Sequence, residues 1–336
     1  MRVQSPIRVF AACCVTLLAL VAAASTTTAS SAHAPGSVAK PALVWSTAIF
    51  ERSIILLAGA DGSRPRLLTD GRGPRISPNG KWVAFARGSD VFVVSTGNGR
   101  PWLVARSASL GRWAANSRYI ATVASGVLYV TDVHTRSRVT IDRGTAIYGS
   151  SFSPSGRDIV WARKRGDNPL VEGGVDLFRA RVDGTQSTRL TQDGRSTYPV
   201  WGPTRIAFGR VRRTGDVHFP IFELWTMRPQ GDGRQRLTRT SHGPIQWDST
   251  GRRLLTSTVN PAGVAASVVD AGNASVRPLI QGPLVLPLAL SRNGRSVLAW
   301  VRSARTPLLG NLVRVGWDKS QTILAKDVDQ LADWNL

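Results

Sequence analysis

Ile76 to Phe85 reads ISPNGKWVAF, and its pattern returns along the chain as FSPSGRDIVW (Phe152 to Trp161), WDSTGRRLLT (Trp247 to Thr256) and LSRNGRSVLAW (Leu290 to Trp300). Each copy is an apolar anchor, a turn of Ser, Pro, Asn and Gly, a basic residue and an apolar run. Pro presets φ for a turn and Gly accepts the left-handed backbone that closes it, so the chain reverses after every anchor. The run that follows alternates or is wholly apolar, as in strands packed on both faces. Weaker copies start at Trp113, with AANSR, and at Trp201, with a shortened GPTR; a last anchor is Trp334.

The anchors Ile76, Trp113, Phe152, Trp201, Trp247, Leu290 and Trp334 recur at the length of one four-stranded blade. A second turn follows each by about 25 to 30 residues, clearest in DGSRPRLLT (Asp61 to Thr69), DGTQSTRLT (Asp183 to Thr191) and DGRQRLT (Asp232 to Thr238). It joins the third and fourth strands, here C and D, counted outward from A at the channel. Residues from Leu43 to Thr69 supply strands B to D of a blade without an anchor, and VDQLADWNL (Val328 to Leu336) supplies an anchor strand. The expected fold is an all-β propeller of seven four-stranded blades whose C-terminal strand closes the first, leaving no open edge, with six blades as the alternative.

These repeats resemble the TolB-like, or WD-like, propeller repeat family over roughly residues 43 to 335. TolB pairs an α/β domain with a six-bladed propeller. This chain has no counterpart of the first and seven repeat units, so the resemblance is to the repeats and not to TolB as a whole.

Residues 1–34 read as a secretory signal and processing segment, with Arg2 and Arg8 before an apolar stretch from Val9 to Ala24 and then small residues. That stretch is short for a bilayer span. Residues 35–42 read as a linker and 43–336 as one propeller domain. The expected location is therefore the periplasm, the cell envelope or the medium, with no transmembrane span after cleavage. The only cysteines, Cys13 and Cys14, lie inside the apolar stretch, so the exported chain has no disulfide, thiol nucleophile or cysteine-ligated zinc.

The net charge of +22 comes from 38 arginines, scattered rather than clustered. Without a basic block or a recognition module, nucleic acid is not the expected partner. HExxH, GxSxG and Walker-type phosphate loops are absent, and the three histidines beyond the signal segment, His134, His218 and His242, fall in different blades. The expected role is binding rather than catalysis, without cofactor or metal, of a protein or peptide of the cell envelope or an anionic envelope polymer, through the loop-rich face and the channel mouth. The chain would act as a monomer or as a subunit of an envelope assembly. The alternative is an enzyme of lyase, lactonase or glycosidase type with its site in the channel.

Two sets of candidate binding residues follow. Arg75, Arg112, Tyr148, Tyr198, Gln246 and Asp333 stand shortly before anchors, where side chains line the channel. Long B-to-C connections, Arg163 to Val175, Arg210 to Ile221 and Arg302 to Asn311, concentrate on one face, opposite the Ser-Pro-Asn-Gly turns. They offer Arg163, Arg165, Arg210, Arg212, Arg213 and Phe219, a mixture of guanidinium forks and aromatic surface found at binding hot spots. His242 completes the candidates. The tryptophans are expected mainly between blades, with Trp102 and Trp317 the ones that could stack on a sugar.

Overall fold

The computed structural model describes residues 42–49, 52–144, 146–164, 174–212, 222–239, 242–260, 263–303, 309–329 and 332–334. They form seven four-stranded antiparallel sheets and, among the described residues, no helix. In six sheets the strands follow chain order outward, so the innermost strands are Arg72–Ile76, Ala108–Trp113, Ile147–Phe152, Ser196–Trp201, His242–Trp247 and Val285–Leu290. Every one ends on its anchor residue. The seventh, Ala332–Trp334, pairs with Leu43–Ile49 in the register Leu43 to Trp334 and Val44 to Asp333. Blade 1 is thus split as the sequence implies, the blade count is seven, and the segment expected to be a signal lies outside the described residues.

The turns after the anchors explain the repeat atom by atom. Ser77 N–H donates to the Trp82 carbonyl (2.8 Å), its hydroxyl oxygen accepts from Trp82 N–H (3.0 Å), and Gly80 N–H closes on the Ser77 carbonyl (2.8 Å). Ser153 and Ser291 repeat this, and in blade 6 the Asp248 carboxylate replaces the hydroxyl, accepting from Arg253 N–H at 3.1 Å. In the divergent AANSR copy Ser117 holds the glycine position at φ +59°, which costs strain, and its hydroxyl accepts from Asn79 N–H of the next turn (2.9 Å).

The apolar core is divided into seven radial seams, one between each pair of neighbouring blades. Blades 3 and 4 meet through Leu128, Val130, Trp161 and Phe178, and the ring closes where Trp300 and Leu312 of blade 7 pack on Leu43, Trp45 and Trp334 of blade 1. Trp161 and Trp300 are fully buried and Trp247 and Trp334 nearly so, as expected for strand B and anchor positions. A strand lies between two seams, Val83 and Phe85 facing one and Ala84 the other, so both of its faces leave water, which accounts for the unbroken apolar runs.

The other recurring signal, Arg-Leu-Thr, has a structural role beyond its turn. In blade 4 Arg189 on the outer strand and Thr191 just beyond it reach the fully buried Asp176 on strand C at 2.7 and 3.1 Å, and Thr191 also accepts from Leu177 N–H. In blade 5 Arg236 and Thr238 repeat the arrangement around Glu223 and Leu224 N–H. The motif fastens the two-residue outer strands, too short to hold by backbone pairing alone.

Candidate functional site

Asp333, Arg75, Arg112, Ser151, Val200 and Gln246 each immediately precede an anchor, in blades 1 to 6 in turn. All six line one cavity of about 390 Å³ at the channel end that carries the turns after the anchors. Pro78, Pro154, Pro203 and Ser249 from those turns form its rim, and Trp113, Trp201, Trp247 and Trp334 its apolar wall.

The wall is held by bonds from blade to blade. Asp333 Oδ2 accepts from Ile76 N–H of blade 2 (3.1 Å), and Ser151 Oγ accepts from Trp201 N–H of blade 5 (3.0 Å). Gln246 both donates to the Leu290 carbonyl (3.2 Å) and accepts from Leu290 N–H (3.1 Å) in blade 7. In the other direction the indole N–H groups of Trp113 and Trp247 donate to the Arg75 and Val200 carbonyls at 2.9 and 3.1 Å. A pocket tied in this way exists before any ligand arrives.

Its charges are unevenly matched. Arg112 of blade 3 extends across the channel to donate to the Ile245 carbonyl of blade 6 at 2.8 Å. Burial, and then the neighbouring Arg75 charge, pull its guanidinium down to about 10, against the opposing pull of Asp333. Burial pushes the Asp333 carboxyl above the ordinary range, although Arg75, Arg112 and its two backbone hydrogen bonds favour the charged form. Among the described residues Arg75 has no hydrogen-bond or ion-pair partner for its side chain.

Tyr148 and Tyr198 do not join this group. The innermost strands carry a register shift shortly before the anchor, between Ile147 and Ser150 in blade 4 and between Thr197 and Val200 in blade 5. Both tyrosines fall in these bulges, where Gly149 and Tyr198 have φ of +70° and +49°, and stand nearer the loop end of the channel. The residues that occupy the lining position instead are Ser151 and Val200. Tyr198 remains 41% exposed, edge-on to Phe222 at 5.8 Å, and burial followed by the nearby Tyr148 raises its hydroxyl pKa.

At the loop end Arg163 pairs with Asp142 of the preceding blade at 2.8 Å and lies 4.1 Å from the centre of the Phe178 ring. Arg210 does the same with Asp193 (2.9 Å) and Trp225 (5.2 Å), and Arg87 with Asp70 (2.6 Å) and Phe92 (5.1 Å). Three blades thus share one latch: an arginine at the end of strand B, an aspartate before the blade's own first strand, and a ring on strand C. Sequence reading grouped Arg163 and Arg210 with the candidate partner contacts; the structure puts both in these latches. Arg212 is exposed and carries no such pair. Arg165, Arg213 and Phe219 lie outside the described residues, as does the side chain of His242, which opens the innermost strand of blade 6.

The latches went unseen because their acids stand 17 to 21 residues before their arginines. A signal was present in the spacing of these three blades: Asp70, Asp142 and Asp193 before the first strand and an arginine near the end of strand B. Trp317 is flanked by the Arg253 and Arg277 guanidinia, 4.5 and 4.6 Å from its ring, beside Arg295 in a shallow cleft. Trp102 lies 5.1 Å from Arg136. Among the described residues no three His, Cys, Asp or Glu side chains gather in a metal-binding group, and no helix is long and apolar enough to cross a membrane.

No protein-family model matches the chain, and no curated protein matches it in sequence. Solved structures do match in fold. TolB from Acinetobacter baumannii is 15% identical with a TM-score of 0.55, over 84% of this chain and 79% of that one. The propeller domain of the Trilobed protease from Pyrococcus furiosus, described as having an open velcro topology, is 16% identical with a TM-score of 0.64, over 85% and 95%. Oligogalacturonate lyase from Vibrio parahaemolyticus is 11% identical with a TM-score of 0.59, over 86% and 87%. The fold is shared with TolB propellers, in agreement with the repeat resemblance, and also with propellers of a lyase and of proteases; at these identities the likeness concerns architecture alone.

Proposed function

We propose that this chain is an exported binding protein without catalytic activity, which holds a protein or peptide partner of the cell envelope at a mouth of its channel. The observation that carries the reading is the pocket at the turn end. Six blades contribute to it, backbone hydrogen bonds fix its rim, and its wall combines tryptophan and proline surface with a few polar groups, the composition of a recognition site. Its carboxylates are already engaged: Asp333 accepts from two backbone N–H groups, and Asp248 accepts from Thr250 and from Arg252 and Arg253 N–H in its own turn.

One observation supports an enzyme in the channel as the second reading. A carboxyl pushed up by burial, such as Asp333, is the kind of group that acts as general acid or base.

Partner capture from native envelope by the exported form tests the first reading. The intact protein runs beside one variant with the 165–173 and 213–220 segments shortened and another with Pro154→Arg, at the exposed rim, to fill the turn mouth. A single partner retained by the intact protein and lost by one folded variant supports binding and shows which end serves it. Capture of the same material by all three, in a salt-sensitive way, points to general arginine electrostatics and sinks the reading. A defined turnover abolished by Asp333→Asn replaces it with the enzyme.

A further inference from the structure

Two guanidinia, Arg75 and Arg112, and two carboxylates, Asp248 and Asp333, line the turn-end pocket, but they are not paired with one another. Arg75, Arg112 and Asp333 come from three consecutive blades and interact through space, yet no ion pair joins the carboxylate to either guanidinium. Asp333 is turned to the backbone instead, with Oδ2 on Ile76 N–H and Oδ1 on Trp334 N–H (2.9 Å). Arg112 spends one N–H on the Ile245 carbonyl and Arg75 spends none.

This is unlike the treatment of arginine at the latches. Arg87, Arg163 and Arg210 each have an aspartate within 2.6 to 2.9 Å and a ring alongside. The half-buried Arg75 shares the cavity with a second guanidinium and, among the described residues, has no acid within ion-pair distance, Asp333 acting on it only through space. Two like charges in a partly enclosed cavity repel one another at a reduced dielectric, and a monoanion held between them would offset that repulsion and satisfy the free guanidinium donors. A guanidinium offers parallel N–H donors whose spacing fits a carboxylate.

We propose that the turn-end pocket is a carboxylate-binding site, in which Arg75 provides the fork and Arg112 the second positive charge, and that the carboxylate belongs to a peptide. The proposal rests on the binding reading above and names the chemistry of that site. The body of the ligand lies against Trp113, Trp201 and Trp247, and Gln246, fixed to blade 7, bounds the far wall. A cavity of about 390 Å³ is the size of a small-ligand site, so it accepts the end of a chain rather than a folded surface.

The test uses the tryptophans of the wall as reporters. The exported protein is titrated with N-acetyl-Ala-Ala, with the same compound as its C-terminal amide, and with galacturonate, at constant ionic strength. The free acid should give a saturable fluorescence change with Kd on the order of 1 mM, and the amide should bind at least about tenfold more weakly. Arg75→Gln should lose the response by about tenfold or more and Arg75→Lys should recover part of it, because charge without the fork is kept. Arg163→Gln, at a latch, should bind as the parent does; near-UV circular dichroism confirms that each variant is folded.

Equal binding of acid and amide overturns the proposal, as does an Arg75→Gln protein that binds like the parent, or no saturable response to any probe up to about 20 mM. A response to galacturonate with none to the peptide acid refutes the peptide assignment. Should the carboxylate site fail while envelope capture at the turn mouth persists, the inference falls and the binding reading stands. If capture fails as well, both fall.

Discussion

At the loop end of the channel Arg163 lies 2.8 Å from Asp142 with the Phe178 ring beside it; at the turn end the Arg75 guanidinium has, among the described residues, neither an ion-paired acid nor a ring stacked on it. Both residues close or precede a repeat element in the same kind of blade, and composition treats them alike. The difference teaches that the +22 charge is not one surface property. Part of it is consumed in joining blades, each latch exchanging a guanidinium's hydration for an ion pair and a ring. Part is held over a preformed cavity without an ion pair among the described residues, and that part is available to a ligand.

If the loop end is built for cohesion, its acids should cost the most to remove. Asp176→Ala leaves Arg189, Thr191 and Gly194 N–H without their buried acceptor, and urea denaturation should show a loss of about 3–5 kcal/mol. A loss under about 1 kcal/mol would mean that the outer strands of blade 4 do not depend on the carboxylate. Next in size is Arg163→Gln, expected to lower stability by about 1–2 kcal/mol while leaving the turn-end pocket unaltered. A change in ligand response from that variant would break the separation of the two ends.

The ends should also part in their pH dependence. Burial pushes the Asp193 carboxyl upward, but hydrogen bonds from Arg195 N–H, Arg210 and Ser196 outweigh it and hold it below the ordinary carboxylate range. Its contribution to stability is present above that range and is lost as pH falls through the lowered value. Asp333 is raised, so its contribution is full below the ordinary range and is lost as pH rises through the raised value. In denaturation series across pH, Asp193→Asn should flatten the acid limb and Asp333→Asn the limb above it; the reverse assignment would refute this division of the two carboxyls. The smallest expected effect is that of Arg75→Gln, whose stability should stay within about 0.5 kcal/mol of the parent because its guanidinium makes no hydrogen bond or ion pair among the described residues and acts on Asp333 only through space. A larger drop would show that Arg75 holds the fold together like the loop-end arginines.

Much of the architecture was legible in the order of residues. All seven anchors, from Ile76 to Trp334, end innermost strands, and the Ser-Pro-Asn-Gly and Asp-Gly signals mark reversals that the backbone makes. The candidate site was legible only in part. Arg75, Arg112, Gln246 and Asp333 share one pocket, but Tyr148 and Tyr198 were placed beside them by counting back from the anchor, and bulges shift them toward the other mouth. Ser151 was passed over because a serine before an anchor carries no charge or aromatic surface to distinguish it.

What the sequence determined by itself was local: turn chemistry, the alternation of strands, the period of the blades and the split of the first blade between distant segments. Such signals act over a few residues and repeat, so each copy supports the others. What only the tertiary structure decided was which charges meet. Arg112 finds its acceptor 133 residues away across the channel, Asp333 meets Ile76 of the neighbouring blade, and Arg75 shares a cavity with Arg112 and acts on Asp333 only through space. Electrostatic partnership falls off with distance in space rather than along the chain, and ring closure sets those distances.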